Sequence, residues 1–384
     1  MTDIPRELID AILGEVKDME SLKRCALSAP ALRGSSQRIL LHSMSVHAEG
    51  RRDYNAACAL LAVSPHVATY ITRFTVYVSS SPATPEKLRS FQQLLSKLTH
   101  VRRCAIRGGT SGSWHDFATL VPALFEFILR SDLTKLHVLF VSELPIPALA
   151  VLVSSAPQVS FYNVGVDTNG YDGASLAGKQ SNSKLQQLLV LQSDGVCDVL
   201  GRPQFAPSRA NLRRLSVRSA DVDISVGIFF ATANTLEHIG FHYRPYNVVL
   251  DHLPYLPVLR SVDIPMESSS AHKQHLIDSV ASIVVSRPPC LEEIIITYRL
   301  QSFHTAFLRS ETVAALDAVL GSDATAPRIR WRLSFGWGND IQTSNRLADF
   351  AALVRVEMPT LYRRGKVTCE RYYLWGEEGE WALR

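Results

Sequence analysis

One short apolar signature recurs along most of this chain, and it restricts the fold more than any other feature. An apolar-x-x-apolar-x-apolar triplet appears at Ile71/Phe74/Val76, Val101/Cys104/Ile106, Leu133/Leu136/Val138, Ala156/Val159/Phe161 and Leu185/Leu188/Val190. It continues at Leu212/Leu215/Val217, Leu236/Ile239/Phe241, Leu259/Val262/Ile264 and Leu291/Ile294/Ile296. With 46% of residues apolar, a single match carries no information, so the spacing decides. Eight steps cover the 220 residues from Ile71 to Leu291, a mean of 27.5, with individual steps of 23 to 32. A period of this length marks a repeated unit that buries its apolar face against its neighbours.

Between the triplets lie segments with helical apolar spacing: Pro85 to Leu98 behind a Thr84 cap, Asp116 to Leu129, Ala148 to Ser155, Ile224 to Ala233 and His272 to Val285. Strand and helix therefore alternate, which predicts an α/β fold with a parallel sheet, since parallel strands need a crossover between them. Two stretches break the period, Asp167 to Ser183 and Asp194 to Ala210, and their Gly, Asn, Ser and Pro content reads as loop or insertion. Beyond residue 310 the expected elements are helices at Thr312 to Leu320 and Ser344 to Val356, an alternating strand Ile329-x-Trp331-x-Leu333-x-Phe335, and a strand-like run from Val367 to Trp375.

The repeating body resembles leucine-rich repeats in length and pattern. The resemblance implies a solenoid whose strands line a concave parallel sheet, a surface suited to capturing a partner protein. The chain departs from that family after each strand, where Asn or Cys is usual. Here those positions hold Ser79, Gly109, Val141, Val164, Ser193, Ala220, Arg244, Glu267 and Arg299, so the turns must be satisfied in another way.

The first residues follow a different rule. Leu8, Ile9, Ile12, Leu13 and Val16 form an amphipathic helical stripe, with Asp3 placed to cap and Pro5 in the first turn. Asp18 can cap a second helix carrying Leu22, Cys25, Ala26 and Ala29, and Ile39, Leu40 and Leu41 belong to a third. The order Ile4-Pro5-Arg6-Glu7-Leu8-Ile9, Ile12-Leu13, Leu22, Cys25, Leu27 and Gln37-Arg38-Ile39-Leu40 resembles the F-box, in the divergent form found in fungal proteins with repeat-type C-terminal regions. It departs from the family at Leu32, where a large aromatic is usual, and at Ser28-Ala29 in place of a Val-Cys pair.

The two resemblances together imply four parts: an F-box-like helical module at 1–46, a linker helix at 47–66, a leucine-rich-repeat-like solenoid at 67–310 and a C-terminal repeat or capping region at 311–384. They imply a substrate-recognition subunit of an SCF-type cullin-RING ubiquitin ligase. Ile4, Pro5, Leu8, Ile9, Ile12 and Leu13 would meet the Skp-type adaptor, and through it a cullin. The other reading is a protein-interaction scaffold whose N-terminal helices only cap the solenoid, because terminal repeats need a cover.

On the expected concave face the residues alternating with the buried triplets are mostly basic in the early and middle repeats. Arg73, Arg103, Arg107, Arg214, Arg218 and His242 are the candidate substrate-binding residues, with Tyr77, Lys135, His137, His238, Asp263, Glu293 and Thr297 beside them. Guanidinium groups pair with carboxylate or phosphate, so the expected partner is an acidic or phosphorylated protein segment. The net charge of +4 is small for 384 residues and does not favour nucleic acid. Arg328-Ile329-Arg330-Trp331-Arg332 reads as a strand with its arginines toward solvent rather than as a nucleic-acid grip.

Neither catalysis nor a cofactor is expected. His272 and His275 lack a carboxylate at metal-site spacing, and Gly108-Gly109-Thr110-Ser111-Gly112-Ser113 has no Lys in phosphate-loop order. No Gly-x-Ser-x-Gly occurs. Six dispersed cysteines suggest reduced core residues. An opening with Asp3, Arg6, Glu7 and Asp10 is no signal-peptide core, and nowhere do eighteen uncharged apolar residues run together, which gives a cytoplasmic or nuclear expectation.

Overall fold

A computed structural model describes residues 4–16, 18–48, 53–77, 84–109, 112–168, 184–218, 222–241, 253–267, 276–278, 280–283, 288–300, 310–322, 325–335 and 340–372. The chain is α/β and divides into two compact units, Met1–Tyr171 and Asp172–Arg384.

The first unit begins with three helices, α1 (Arg6–Gly14), α2 (Met19–Ser28) and α3 (Pro30–Leu40). Pro5 stands ahead of α1 in an extended conformation rather than inside its first turn, and Asp3 lies outside the described residues. Asp18 caps α2 as expected, accepting from the Glu20 and Ser21 amides. Pro30 both ends α2 and opens α3, where its missing N–H costs nothing. The third helix therefore starts nine residues ahead of Ile39.

Among the described residues five parallel strands follow in sequence order: β1 (Ser43–His47), β2 (Arg73–Tyr77), β3 (Arg103–Arg107), β4 (Lys135–Pro145) and β5 (Gln158–Asp167). Each connection carries a helix: α4 (Tyr54–Val63), α5 (Pro85–Lys97), α6 (Val121–Arg130) and α7 (Ile146–Ser155). A short 3-10 turn at Trp114–Phe117 occupies the start of the helix expected from Asp116. The core lies between sheet and helices. Phe74, Ile106, Val138 and Phe161 from the strands are buried with Phe91, Leu94, Phe127, Ile128 and Leu152 from the helices.

Among the described residues the second unit has seven parallel strands, again in sequence order: β6 (Gln187–Leu191), β7 (Arg214–Arg218), β8 (His238–Phe241), β9 (Ser261–Glu267), β10 (Glu293–Leu300), β11 (Arg328–Phe335) and β12 (Val367–Tyr372). Its helices include α8 (Asp194–Gly201), α9 (Ala206–Arg209), α10 (Val222–Thr232), α11 (Ser310–Gly321), α12 (Asp340–Glu357) and α13 (Pro359–Arg363). Trp331 on β11 packs against Phe350 of α12 with ring centroids 5.3 Å apart, and Tyr298 of β10 stacks on the same ring at 5.9 Å.

The last two residues of each of the nine predicted triplets fall on strands β2 to β10, the first stands two residues ahead of the strand, and all are buried except Phe241 and Leu291, which are half-buried. The expected loop at Asp194 to Ala210 is corrected to α8, a 3-10 turn and α9. Val196, Cys197, Val199 and Leu200 are buried, and that apolar face outweighs the breakers Gly195, Gly201, Pro203 and Pro207. Of the other expected interruption, 169–183 lies outside the described residues, as do His272 and His275.

A backbone hydrogen-bond arrangement recurs from strand to strand. At the entry to a strand, one carbonyl on the preceding repeat accepts two successive N–H groups. His42 O accepts from Thr72 and Arg73, Thr72 O from Arg102 and Arg103, and Arg102 O from Thr134 and Lys135, at 2.7 to 3.2 Å. In the second unit Gln186, Arg213, Glu237 and Arg260 carbonyls do the same for the next strand. Another feature recurs further along: Phe140 and Asn163 within β4 and β5, and Gln192 just past β6, each two residues after the last triplet residue, have φ of 52° to 55°. Gly108 holds the equivalent place after Ile106, where a Cβ would stand 1.9 Å from the Phe140 carbonyl oxygen, so no side chain fits.

Candidate functional site

Two surfaces stand out, a helix face and the solvent face of the sheet. On α1, Arg6 passes over Gly34 and Asp10 pairs with Arg38 at 3.3 Å, both toward α3. Leu13, 3% exposed, is buried, and Ile9 is half-buried. At 3.6 residues per turn, Leu8 and Ile12 lie about 130° around the helix from that packed side. They are 55% and 62% exposed, and Ile4, just ahead of the helix, is 61% exposed. Pro5 is exposed as well. Of the six predicted adaptor residues, Ile4, Pro5, Leu8 and Ile12 are open to solvent, while Leu13 anchors the helix.

The sheet face of the first unit is organised in three rows by its register. The first row reads Ser43, Arg73, Arg103, Lys135 and Gln158 across β1 to β5. The second reads Ser45, Thr75, Ala105, His137 and Ser160, and the third His47, Tyr77, Arg107, Leu139 and Tyr162. The middle row is small and closed, with Thr75, Ala105 and His137 buried. His137 shares a hydrogen bond with the Ser160 hydroxyl. Burial first, then the charges of Lys135 and Arg103, push its pKa down to about 4, so it is a neutral ring at neutral pH.

The third row is a run of π faces. His47 stacks on Tyr77 with centroids 4.1 Å apart and planes 9° from parallel. The Arg107 guanidinium lies 5.5 Å from the Tyr77 ring and 5.4 Å from Phe140, whose edge meets Tyr162 at 5.0 Å. Sequence reasoning named Arg107 and Tyr77 but missed His47, Phe140 and Tyr162. The positive φ at Phe140 takes it out of strand alternation and swings it into the row. The structure thus brings Arg73, Arg103 and Arg107 together in one unit. Arg214 is exposed on β7 in the other unit; His242 and the Arg218 side chain lie outside the described residues.

The corresponding face of β9 to β12 is built differently. Asp263 accepts from Thr297 Oγ1 at 2.8 Å and from Arg332 Nη1 at 3.2 Å. Arg332 Nε also donates to Glu370 at 2.7 Å, and Arg330 pairs with Glu293 at 2.8 Å and reaches Glu370 at 3.9 Å. Burial drives the Asp263 pKa up to about 6, against the hydrogen bonds and charge of Thr297 and Arg332. Burial works against the Arg332 charge too, but Glu370 and Asp263 hold its pKa above the ordinary arginine value. Ile329, Trp331 and Leu333 point into the core between these arginines, as strand alternation predicts.

Among the described residues no group of three His, Cys, Asp or Glu side chains is placed to hold a metal ion. No described helix is long and apolar enough to cross a membrane. The chain is thus an α/β protein with parallel strands laid down in sequence order, an apolar N-terminal helix face and two sheet faces of opposite electrostatic design. No protein-family model matches it, and no curated protein matches it either.

Proposed function

We propose that this chain is a non-enzymatic recognition subunit of an SCF-type cullin-RING ubiquitin ligase. The three N-terminal helices act as a divergent F-box that docks on a Skp-type adaptor, and the strand-helix units behind them form a leucine-rich-repeat-like solenoid that holds a target protein on its sheet face. Ubiquitin transfer belongs to other subunits. The chain contributes position, turning a rare encounter into a local one.

The observation that carries this reading is the solvent-exposed apolar set Ile4, Leu8 and Ile12, on the side of α1 turned away from its own bundle. A helix that only capped the repeats would turn that set inward. Covering three such side chains is worth about 4 kcal/mol in total, enough for a docking anchor. Leu27 on α2, 83% exposed, adds to the apolar surface of the same bundle.

The test is co-purification of the full chain with a Skp-type adaptor, comparing wild type with Leu8→Asp and Ile12→Asp. Each variant is expected to weaken the complex about 100-fold, from lost apolar burial and a desolvated carboxylate, while leaving the fold intact. An adaptor that ignores the wild-type chain, or binds both variants equally well, refutes the ligase reading and leaves a scaffold capped by its own helices.

A further inference from the structure

The three N-terminal helices bury little for the length of chain they order. Among the described residues of 4–41 the buried side chains are Leu13, Leu22, Ala26, Ser35 and Ser36, of which Leu13 and Leu22 are the large apolar ones. Ile4, Leu8, Ile12, Met19 and Leu27 lie exposed instead. The repeats are packed differently: α5 buries Phe91, Leu94 and Leu95, and α6 buries Leu124, Phe127 and Ile128.

Ser36 works against the packing of α3. It is fully buried, and its hydroxyl has no hydrogen-bond partner among the described residues. A hydroxyl taken out of water without a replacement bond opposes folding, whereas a methyl group in its place favours it. Local supports are weak. Neither α1 nor α3 has a side-chain cap, and the Asp10–Arg38 pair is open to solvent and so contributes little. Helices of 9, 10 and 11 residues do not hold by themselves. A chain of below about 40 residues usually needs a disulfide, a metal or a partner subunit to keep a core, and Cys25 is a free thiol.

From this we infer that the N-terminal bundle folds as it binds: in the free chain its closed and open forms are comparably populated, and docking of the adaptor closes it. That the partner is the adaptor rests on the reading proposed above; the inference adds how binding at that site is regulated. The end of α3 is the fixed point, since the His42 carbonyl just beyond it accepts from Thr72 and Arg73 of the next repeat. Both α1 and α2 pack on α3, so a loosened α3 releases them together. The closed form sets Leu8 and Ile12 one helical turn apart on one face, and opening disperses them. Apparent affinity is then the intrinsic affinity multiplied by the closed fraction, so Ser36 tunes binding without touching the partner.

The test follows the full chain by hydrogen exchange and by its affinity for a Skp-type adaptor. In the free chain the amides of α1 to α3 should exchange nearly as fast as in an unfolded chain while those of β2 to β5 stay protected, and adaptor should slow the helices. Ser36→Ala removes the unpaired hydroxyl and should shift the balance about tenfold toward the closed form. Starting from equal populations, that gives about fivefold more protection of the helices and about twofold tighter adaptor binding. Leu22→Ala, with Leu8 and Ile12 left in place, should shift the balance about 100-fold the other way. Adaptor binding should then weaken about 50-fold, with β2 to β5 as protected as before. In that background Ser36→Ala should restore nearly tenfold in affinity, far more than it adds to wild type, a dependence that a residue acting only on packing of a closed bundle would not show. Helices as well protected as β2 to β5 in the free chain overturn the inference. So does Ser36→Ala without effect on exchange, or with equal effect on affinity in both backgrounds. The two readings fail separately. Helices protected in the free chain that still bind adaptor remove the coupling and keep the ligase reading, whereas unprotected helices that Ser36→Ala protects, in a chain the adaptor ignores, uphold the opening and remove the ligase reading.

Discussion

Replacing Asp263 by Asn should stabilise the second unit at neutral pH. Asp263 is 9% exposed, and its carboxyl titrates near 6 in the folded chain against an ordinary value of 3.8. The folded state therefore holds this proton more tightly than the unfolded state. Stability from this group is complete below about pH 3.8 and is lost as pH rises through 6. A difference of about two pH units corresponds to about 3 kcal/mol at pH 7.5 and about half of that at pH 5. Asn is a neutral mimic of the protonated acid. Its amide can donate to Thr297 Oγ1 while its oxygen accepts from Arg332, and Arg332 keeps its 2.7 Å bond to Glu370. Urea denaturation at pH 5, 6 and 7.5 provides the measurement, with hydrogen exchange of β9 and β10 amides as a local readout. The Asn variant should gain about 1.4 kcal/mol on the wild type between pH 5 and 7.5. A variant less stable than wild type at pH 7.5, by an amount that does not change with pH, would show that the Arg332 pair outweighs burial and would refute the argument.

Two further substitutions probe how the repeats are held. Arg209 is buried and donates to the Leu200 and Arg202 carbonyls at 2.8 and 2.7 Å and to Ala231 at 3.4 Å, joining the C-terminal ends of α8 and α10. Arg209→Met leaves those acceptors without a donor, and a loss of about 3 kcal/mol, read as a fall in Tm of about 10 °C, is expected; a change below a couple of degrees would show the guanidinium to be dispensable. Gln192 is exposed with φ of 52°, so Gln192→Gly should raise stability by about 0.5 to 1 kcal/mol and Gln192→Val should lower it, both by denaturant titration; the reverse order would mean the left-handed turn carries no strain.

The triplets were legible because each buries its side chains at the entry and along the start of one strand, a local property the sequence carries unaided. β1 was not, because in Ser43-Met44-Ser45-Val46-His47 only Val46 is fully buried, and the segment belongs to the sheet through its pairing with β2 rather than by its own composition. The cation row was half legible. Arg73, Arg103 and Lys135 each precede the second residue of a triplet, so aligning the triplets aligns the charges. The aromatic row was hidden, since Phe140 reaches it only by leaving strand geometry, and no apolar pattern announces a positive φ. Arg209 was equally silent: its partners are backbone carbonyls, which every sequence contains.

The ion pairs of β9 to β12 decide how that face would meet a partner in the function proposed above. In β9 to β12 the carboxylates of Asp263, Glu293 and Glu370 are engaged by Arg330 and Arg332 within the same sheet. A ligand meeting that face must compete with bonds already made at 2.7 to 3.2 Å, so the gain is the difference between two ion pairs. Charge changes at Arg330 or Arg332 should therefore register in stability, since they break pairs already made within the sheet.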